Sequence, residues 1–220
     1  HYPLRRQRQM CIRDRIEKIK EVAGVQEVIL ENRYEPCVMK QEETADPNMA
    51  TSDKMIGSSA AWAAGYTGAG SRIAIIDTGA DVDHPSLDPD ALKYALQGSN
   101  ATIMTEADLT DEVLNQLNAY TRKAGLTAAD FYVNEKIPFG FNYVDADTDI
   151  THDNDTQGDH GSHVTGIAAG NRFVKDEAGN YVAALDSVMT QGVAPDAQIL
   201  TMKVFGLSLI HISEPTRHSL

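Results

Sequence analysis

Apolar and polar positions switch repeatedly between two periods along this chain. Ile16, Ile19, Val22 and Ala23 have helical spacing, which Gly24 ends. Residues 25–30 then alternate in part, as a short strand does. Residues 40–54 are polar, with Asp46, Pro47, Ser52 and Asp53, and read as a linker. Ser58 or Ser59 is placed to cap a helix through Ala60, Trp62 and Ala63, and residues 65–70 form a turn. The run Arg72-Ile73-Ala74-Ile75-Ile76 predicts a parallel strand buried on both faces. Residues 105–127 read as helical. Asp108, Asp111 and Glu112 lie near the start, and Leu109, Val113 and Leu117 form a stripe. Residues 139–144 predict a strand, 145–159 an acidic turn-rich loop, and 160–169 a helix stopped by Gly170-Asn171. A long polar loop with room for a hairpin spans 171–191, and residues 197–205 form the last buried strand. Strands alternating with helices predict an α/β fold around a parallel sheet.

Composition narrows the function classes. Of 220 residues, 42% are hydrophobic, enough for one ordinary core plus a small extra piece. The net charge of −13 argues against nucleic acid, whose phosphates need basic partners. No apolar run is long enough for a membrane span. Two cysteines, Cys11 and Cys37, do not make a disulfide framework.

Both ends look foreign to the rest. Residues 1–15 hold half of the chain's arginines, after which the character turns acidic. Residues 207–220 follow the last strand with Leu207-Ser208-Leu209-Ile210-His211-Ile212-Ser213-Glu214-Pro215-Thr216-Arg217. Both peptides resemble translated adapter sequence and are set aside as artefact, which leaves Cys37 as the one native cysteine.

The candidate chemistry sits at two motifs. Asp77-Thr78-Gly79 ends an apolar strand, where open α/β sheets gather functional groups. His160-Gly161-Ser162-His163-Val164 opens a helix whose Gly161 and Gly166 allow close packing. A neutral imidazole is what a general base needs near neutral pH. Alternatives remain for each motif. Asp77 fits a turn or cap aspartate, and the two histidines fit a metal pair or two hydrogen-bonded core residues. Zincin pairs use i, i+4 spacing with an intervening Glu, and neither is present.

The segments Ile75-Ile76-Asp77-Thr78-Gly79, Asp83-His84-Pro85, His160 through Gly166, and Gly192-Val193-Ala194-Pro195-Asp196-Ala197 resemble, in order, successive blocks of the subtilisin-like serine peptidases. That family runs Asp, His, Ser along the chain. Pro138-Phe139-Gly140-Phe141-Asn142-Tyr143 before an acidic loop, and the long stretch from Asp77 to His160, resemble the lactocepin and C5a-peptidase-like cell-envelope proteinases.

The resemblance implies an organisation. Residues 16–52 would be the C-terminal part of an inhibitory α+β propeptide with its linker. Residues 53–206 would be the N-terminal half of a catalytic α/β domain, its parallel sheet flanked by helices. Asp77 and His160 would be the catalytic acid and base. The family's oxyanion Asn and its nucleophile block, expected after position 206, do not appear. Gly57-Ser58-Ser59-Ala60-Ala61 mimics that block but precedes Asp77, and reads as a helix start. The expected function is a serine endopeptidase acting on proteins or peptides, partnered by its own propeptide, with this chain itself inactive. The expected setting is secreted or cell-wall-associated in a bacterium, with a start and signal peptide missing before His1.

No cofactor is required for the chemistry. A structural Ca²⁺ is the one ion considered, because Asp145, Asp147, Asp149, Asp153 and Asp155 crowd one loop. It is no EF-hand, since position six from Asp145 is Ile150 and position twelve is Thr156. Ser86 stands where subtilisins often place a calcium-ligating Asp. Two other functions compete: a non-catalytic subtilisin-fold binding module, and an aspartic protease built on Asp77-Thr78-Gly79. The second would be a small all-β dimer.

Overall fold

The computed structural model describes residues 21–23, 49–121, 123–151, 159–188 and 190–206. The chain divides into two units, residues 1–35 and 36–220. Residues 21–23 of the first are an exposed turn; the helix expected before it and the strand after it lie outside the described residues. So do both terminal peptides.

Three parallel strands carry the larger unit: β1 (Arg72–Asp77), β2 (Phe139–Asn142) and β5 (Gln198–Lys203), in the spatial order β1-β5-β2. The central strand is the last in sequence. Parallel neighbours cannot be joined by tight turns, so the chain must cross over between them, and it does so through helices. In register, Asp77 lies beside Lys203, and Asn142 beside Lys203 on the other flank. An antiparallel hairpin of β3 (Phe173–Lys175) and β4 (Tyr181–Ala183) lies where the polar loop was expected to fold back. The predicted α/β class thus holds.

Two apolar clusters form the core. One gathers Ile75, Leu87, Ile137, Ile150, Ala169, Ala197 and Ile199. Helix α6 (His160–Ala169) packs on it through Val164 and Ala168. The other gathers Leu109, Phe131, Phe139 and Phe141, with Leu200 and Met202 against them. Alternate residues of β5 thus serve different clusters, as the period-two geometry of a strand requires.

Five local expectations differ from the structure. β1 is not buried on both faces: Ile75 is buried but Ile76 is 60% exposed. The core cluster and α6 lie on the Ile73/Ile75 face, and Ile76 points to the other. Residues 105–127 are not one helix. A 3₁₀ turn (Glu106–Asp108) precedes α4 (Asp111–Tyr120), and α5 (Ala128–Phe131) starts anew after a loop. Capping boxes at Thr105/Asp108 and Thr127/Asp130 begin the two flanking pieces. Val113 of the expected stripe is exposed, and Leu114 takes the inward place beside Leu117. The polar stretch 40–54 includes the start of α1 (Met49–Ile56). Ser58 does not cap α2 (Ser58–Ala63): that position is Gly57, and the Ser58 hydroxyl turns back to the Asp53 carbonyl at 3.0 Å.

The Gly192-Val193-Ala194 motif has a physical role. Its three N–H groups donate to the carbonyls of Gly170, Ile167 and Ala168 at 2.8–2.9 Å. Those carbonyls end α6 and would otherwise be orphaned. Trp62 Nε1 then holds the Val193 carbonyl at 2.8 Å, fastening α2 to the same place.

Candidate active site

Asp77 closes β1 and His160 opens α6. They are 83 positions apart in sequence but adjacent in space: Asp77 Oδ1 and His160 Nδ1 lie 2.7 Å apart. The same carboxylate oxygen accepts the Thr78 N–H at 2.7 Å. The imidazole side chain is 27% exposed and the carboxylate 14%, so the pair is sheltered on the Asp side and open on the His side. Among the described residues nothing hydrogen-bonds to His160 Nε2. Such a pairing holds one tautomer, with Nδ1–H donating to the carboxylate and Nε2 left as an acceptor.

The elements around the pair explain how it is held. The Asp77 carbonyl accepts from Val204 and Phe205 N–H, binding the strand end to the chain leaving β5. Thr78 Oγ1 accepts the Gly161 N–H at 2.9 Å, and Ser162 Oγ accepts the Asp81 N–H at 2.8 Å. Two glycines let these backbones approach. Gly79 has φ +109°, and a Cβ there would strike the Ile150 carbonyl; a Cβ at Gly161 would strike the Gly79 carbonyl. Gly166, expected to serve close packing, faces open space, and the tight contact is instead between Gly170 and Gly192. Gly79→Ala combines a forbidden φ with a backbone clash, so a loss of about 3 kcal/mol or more is expected from denaturant unfolding. A loss below about 1 kcal/mol would mean that the loop holding Ile150 yields freely.

Residues 68–211 match the sequence profile of the Subtilase family, Peptidase S8. The chain belongs to the subtilase family. Relatives include the PII-type proteinase of Lactococcus lactis subsp. cremoris, 33% identical over 86% of this chain. A PII-type proteinase of Lacticaseibacillus paracasei is 32% identical over the same share. The minor extracellular protease Vpr of Bacillus subtilis (strain 168) is 28% identical over 80% of the chain. The chain spans about 8% of the length of the lactococcal relative and 15% of Vpr.

Other candidates find different places in this subtilase chain. His163 is exposed and takes no part in the Asp77 contact, which removes the reading of two core histidines. Among the described residues no group of three or more His, Cys, Asp or Glu is arranged to hold a metal. The acids of the 145–151 segment are engaged locally. Asn142 Nδ2 donates to Asp145 and Asp147 at 3.2 and 3.0 Å, and Thr151 donates its hydroxyl to Asp149 at 2.6 Å. That hydroxyl holds the Asp149 carboxyl below its ordinary value. Asp153 and Asp155, the other two acids of the loop, lie outside the described residues. The Ser86 hydroxyl is engaged with His84 Nδ1 at 2.7 Å. Ser58, inside the segment that mimics a nucleophile block, is 5% exposed, and its hydroxyl also approaches Asp53 Oδ1 at 3.4 Å. Burial pushes the Asp53 carboxyl up.

Sequence reading missed the hydroxyls of Thr78 and Ser162. The motifs contain both residues, but nothing in their spacing says which backbone N–H each would meet.

Proposed function

We propose that these residues are the acid and base half of a serine endopeptidase, with Asp77 as the orienting carboxylate and His160 as the general base. The observation that carries the reading is the 2.7 Å pairing of Asp77 Oδ1 with His160 Nδ1 in a chain of subtilase sequence. Asp77 fixes the ring and stabilises the imidazolium that forms. His160 Nε2 takes the proton of an attacking serine hydroxyl, then gives it to the leaving amine. The serine and the oxyanion donor belong to sequence after residue 206, and the substrates are proteins or peptides. Residues 16–52 supply the end of a propeptide. The setting is the cell exterior or wall, in line with Vpr being an extracellular protease. No cofactor enters the chemistry.

A polypeptide of these 220 residues alone is expected to hydrolyse no peptide bond. Loss of such a serine costs about six orders of magnitude in turnover, on the scale measured in subtilisin, itself a member of this family. The test is a fluorophosphonate probe applied to this chain and to the longer gene product. Labelling is expected only in the longer product, with loss of its peptidase activity. Stoichiometric labelling of the 220-residue chain would overturn the assignment of the nucleophile to later sequence. A longer product that binds peptides but is neither labelled nor hydrolytic would make this a binding module. The aspartic protease alternative requires an all-β lobe, whereas Asp77 stands on a parallel α/β sheet.

A further inference from the structure

His160 and Asp77 are not joined by their own hydrogen bond alone. The residue after each forms a second bond beside the first: Thr78 Oγ1 accepts the Gly161 N–H at 2.9 Å. Asp77-Thr78 at the strand end and His160-Gly161 at the helix start therefore close a ring with two bridges. The body and far end of α6 are held by its core packing and by the Gly192–Ala194 bonds, so these bridges set only how its first turn meets the strand end. Two bridges on successive residues fix both the separation and the rotation. Thr78 also donates its own N–H to Asp77 Oδ1 at 2.7 Å, so a single residue orients the carboxylate and the helix. Thr78 is 1% exposed and the bond to Gly161 is buried, so bulk water does not replace the hydroxyl. The Gly161 N–H is a first-turn donor with no acceptor inside its helix, which makes the hydroxyl oxygen its needed partner.

Resting on the reading of Asp77 and His160 as a catalytic pair, we propose that Thr78 is a positioning residue for the reaction. Its hydroxyl oxygen sets the rotation of the first turn of α6, and so the angle at which the His160 ring meets the Asp77 carboxylate. Thr78 touches no substrate and acts through the helix start.

The test reads the ring proton itself. In the 220-residue chain, the His160 Nδ1–H held by Asp77 gives a proton NMR signal, assigned by its loss in His160→Ala and Asp77→Asn. Its exchange with water reports how often the pair opens. Thr78→Val keeps the shape but removes the acceptor, and is expected to speed exchange about fivefold to tenfold. Thr78→Ser restores the acceptor and is expected to stay within about twofold of the parent. Parent-like exchange in Thr78→Val, with the signal still dependent on Asp77, would overturn the proposal and leave the catalytic reading standing. A parent chain with no Asp77-dependent signal would instead overturn the catalytic reading, and the proposal with it. Should Thr78→Val not fold, Thr78→Cys decides, because sulfur is a weak acceptor. Faster exchange there supports the role of the hydroxyl, and parent-like exchange overturns it.

Discussion

Replacing His160 by alanine in the proposed full-length peptidase is expected to lower kcat by about six orders of magnitude, while Asp77→Asn costs about four. The asymmetry follows from the geometry. His160 would carry the proton in both halves of the reaction, so its loss removes the base and the acid together. On the proposed reading Asp77 would transfer no proton. It holds Nδ1 at 2.7 Å and fixes which ring nitrogen is free. Asparagine in that place presents an N–H or a carbonyl without the charge, so the ring can settle in the wrong tautomer. KM should move little in either variant, since neither side chain is assigned to substrate binding. Single-turnover kinetics with a fluorogenic peptide would check both figures. Equal losses in the two variants would mean that Asp77 does more than orient the ring. A loss of under about a hundredfold in His160→Ala would end the assignment of the base.

Much of this arrangement was legible because its signals are local or depend on order. The run from Arg72 to Asp77 reads as a strand, its carboxyl end as a functional position, and the glycines after Asp77 and His160 as close approaches. Gly79 and Gly161 meet that description, each facing a carbonyl where a side chain would otherwise be. What failed to read was whatever depends on the neighbour across space. Ile76 belongs to an apolar run, but whether its face is covered depends on what packs over that side of the sheet, and here Ile76 is left 60% exposed. Val113 and Leu114 are equivalent as apolar letters, and only the direction of α4 over Phe131 and Phe141 selects Leu114. The helix expected over 105–127 shows a different failure. Two Thr-x-x-Asp boxes mark new starts at Thr105 and Thr127, a local signal that a long hydrophobic stripe concealed. Gly166 illustrates the reverse error, a glycine credited with a contact that Gly170 and Gly192 make.

Raising the pH from 7 to 10 is expected to stabilise this domain through one buried amine. Lys136 is wholly buried, and its Nζ donates to the carbonyls of Pro195 and Ala197 at 2.9 Å each. A neutral amine has two N–H donors, enough for both carbonyls, whereas an ammonium brings a third. Burial pushes its pKa from 10.5 down to about 7; the Asp196 carboxylate pulls the other way. That carboxylate is already bonded to Arg172 Nε at 2.9 Å, so its charge is shared. The sign follows from proton counts. Between pH 7 and 10.5 the unfolded chain holds a proton on Lys136 that the folded chain lacks. Stability therefore rises with pH through that window, is level above it, and is lowest below pH 7, where the folded amine is also charged. A shift of this size corresponds to on the order of 4–5 kcal/mol across the window. Lys136→Met cancels the titration but leaves two buried carbonyls unpaired, at a cost of about 1–3 kcal/mol. The two proteins should therefore cross: the variant less stable at pH 10, and equal to or more stable than the parent at pH 6–7. Urea unfolding midpoints at both pH values measure this directly, and taking the difference between the proteins cancels the alkaline titration of the tyrosines. Parallel curves with no crossing would show that the two carbonyls hold Lys136 as a buried ammonium at every pH.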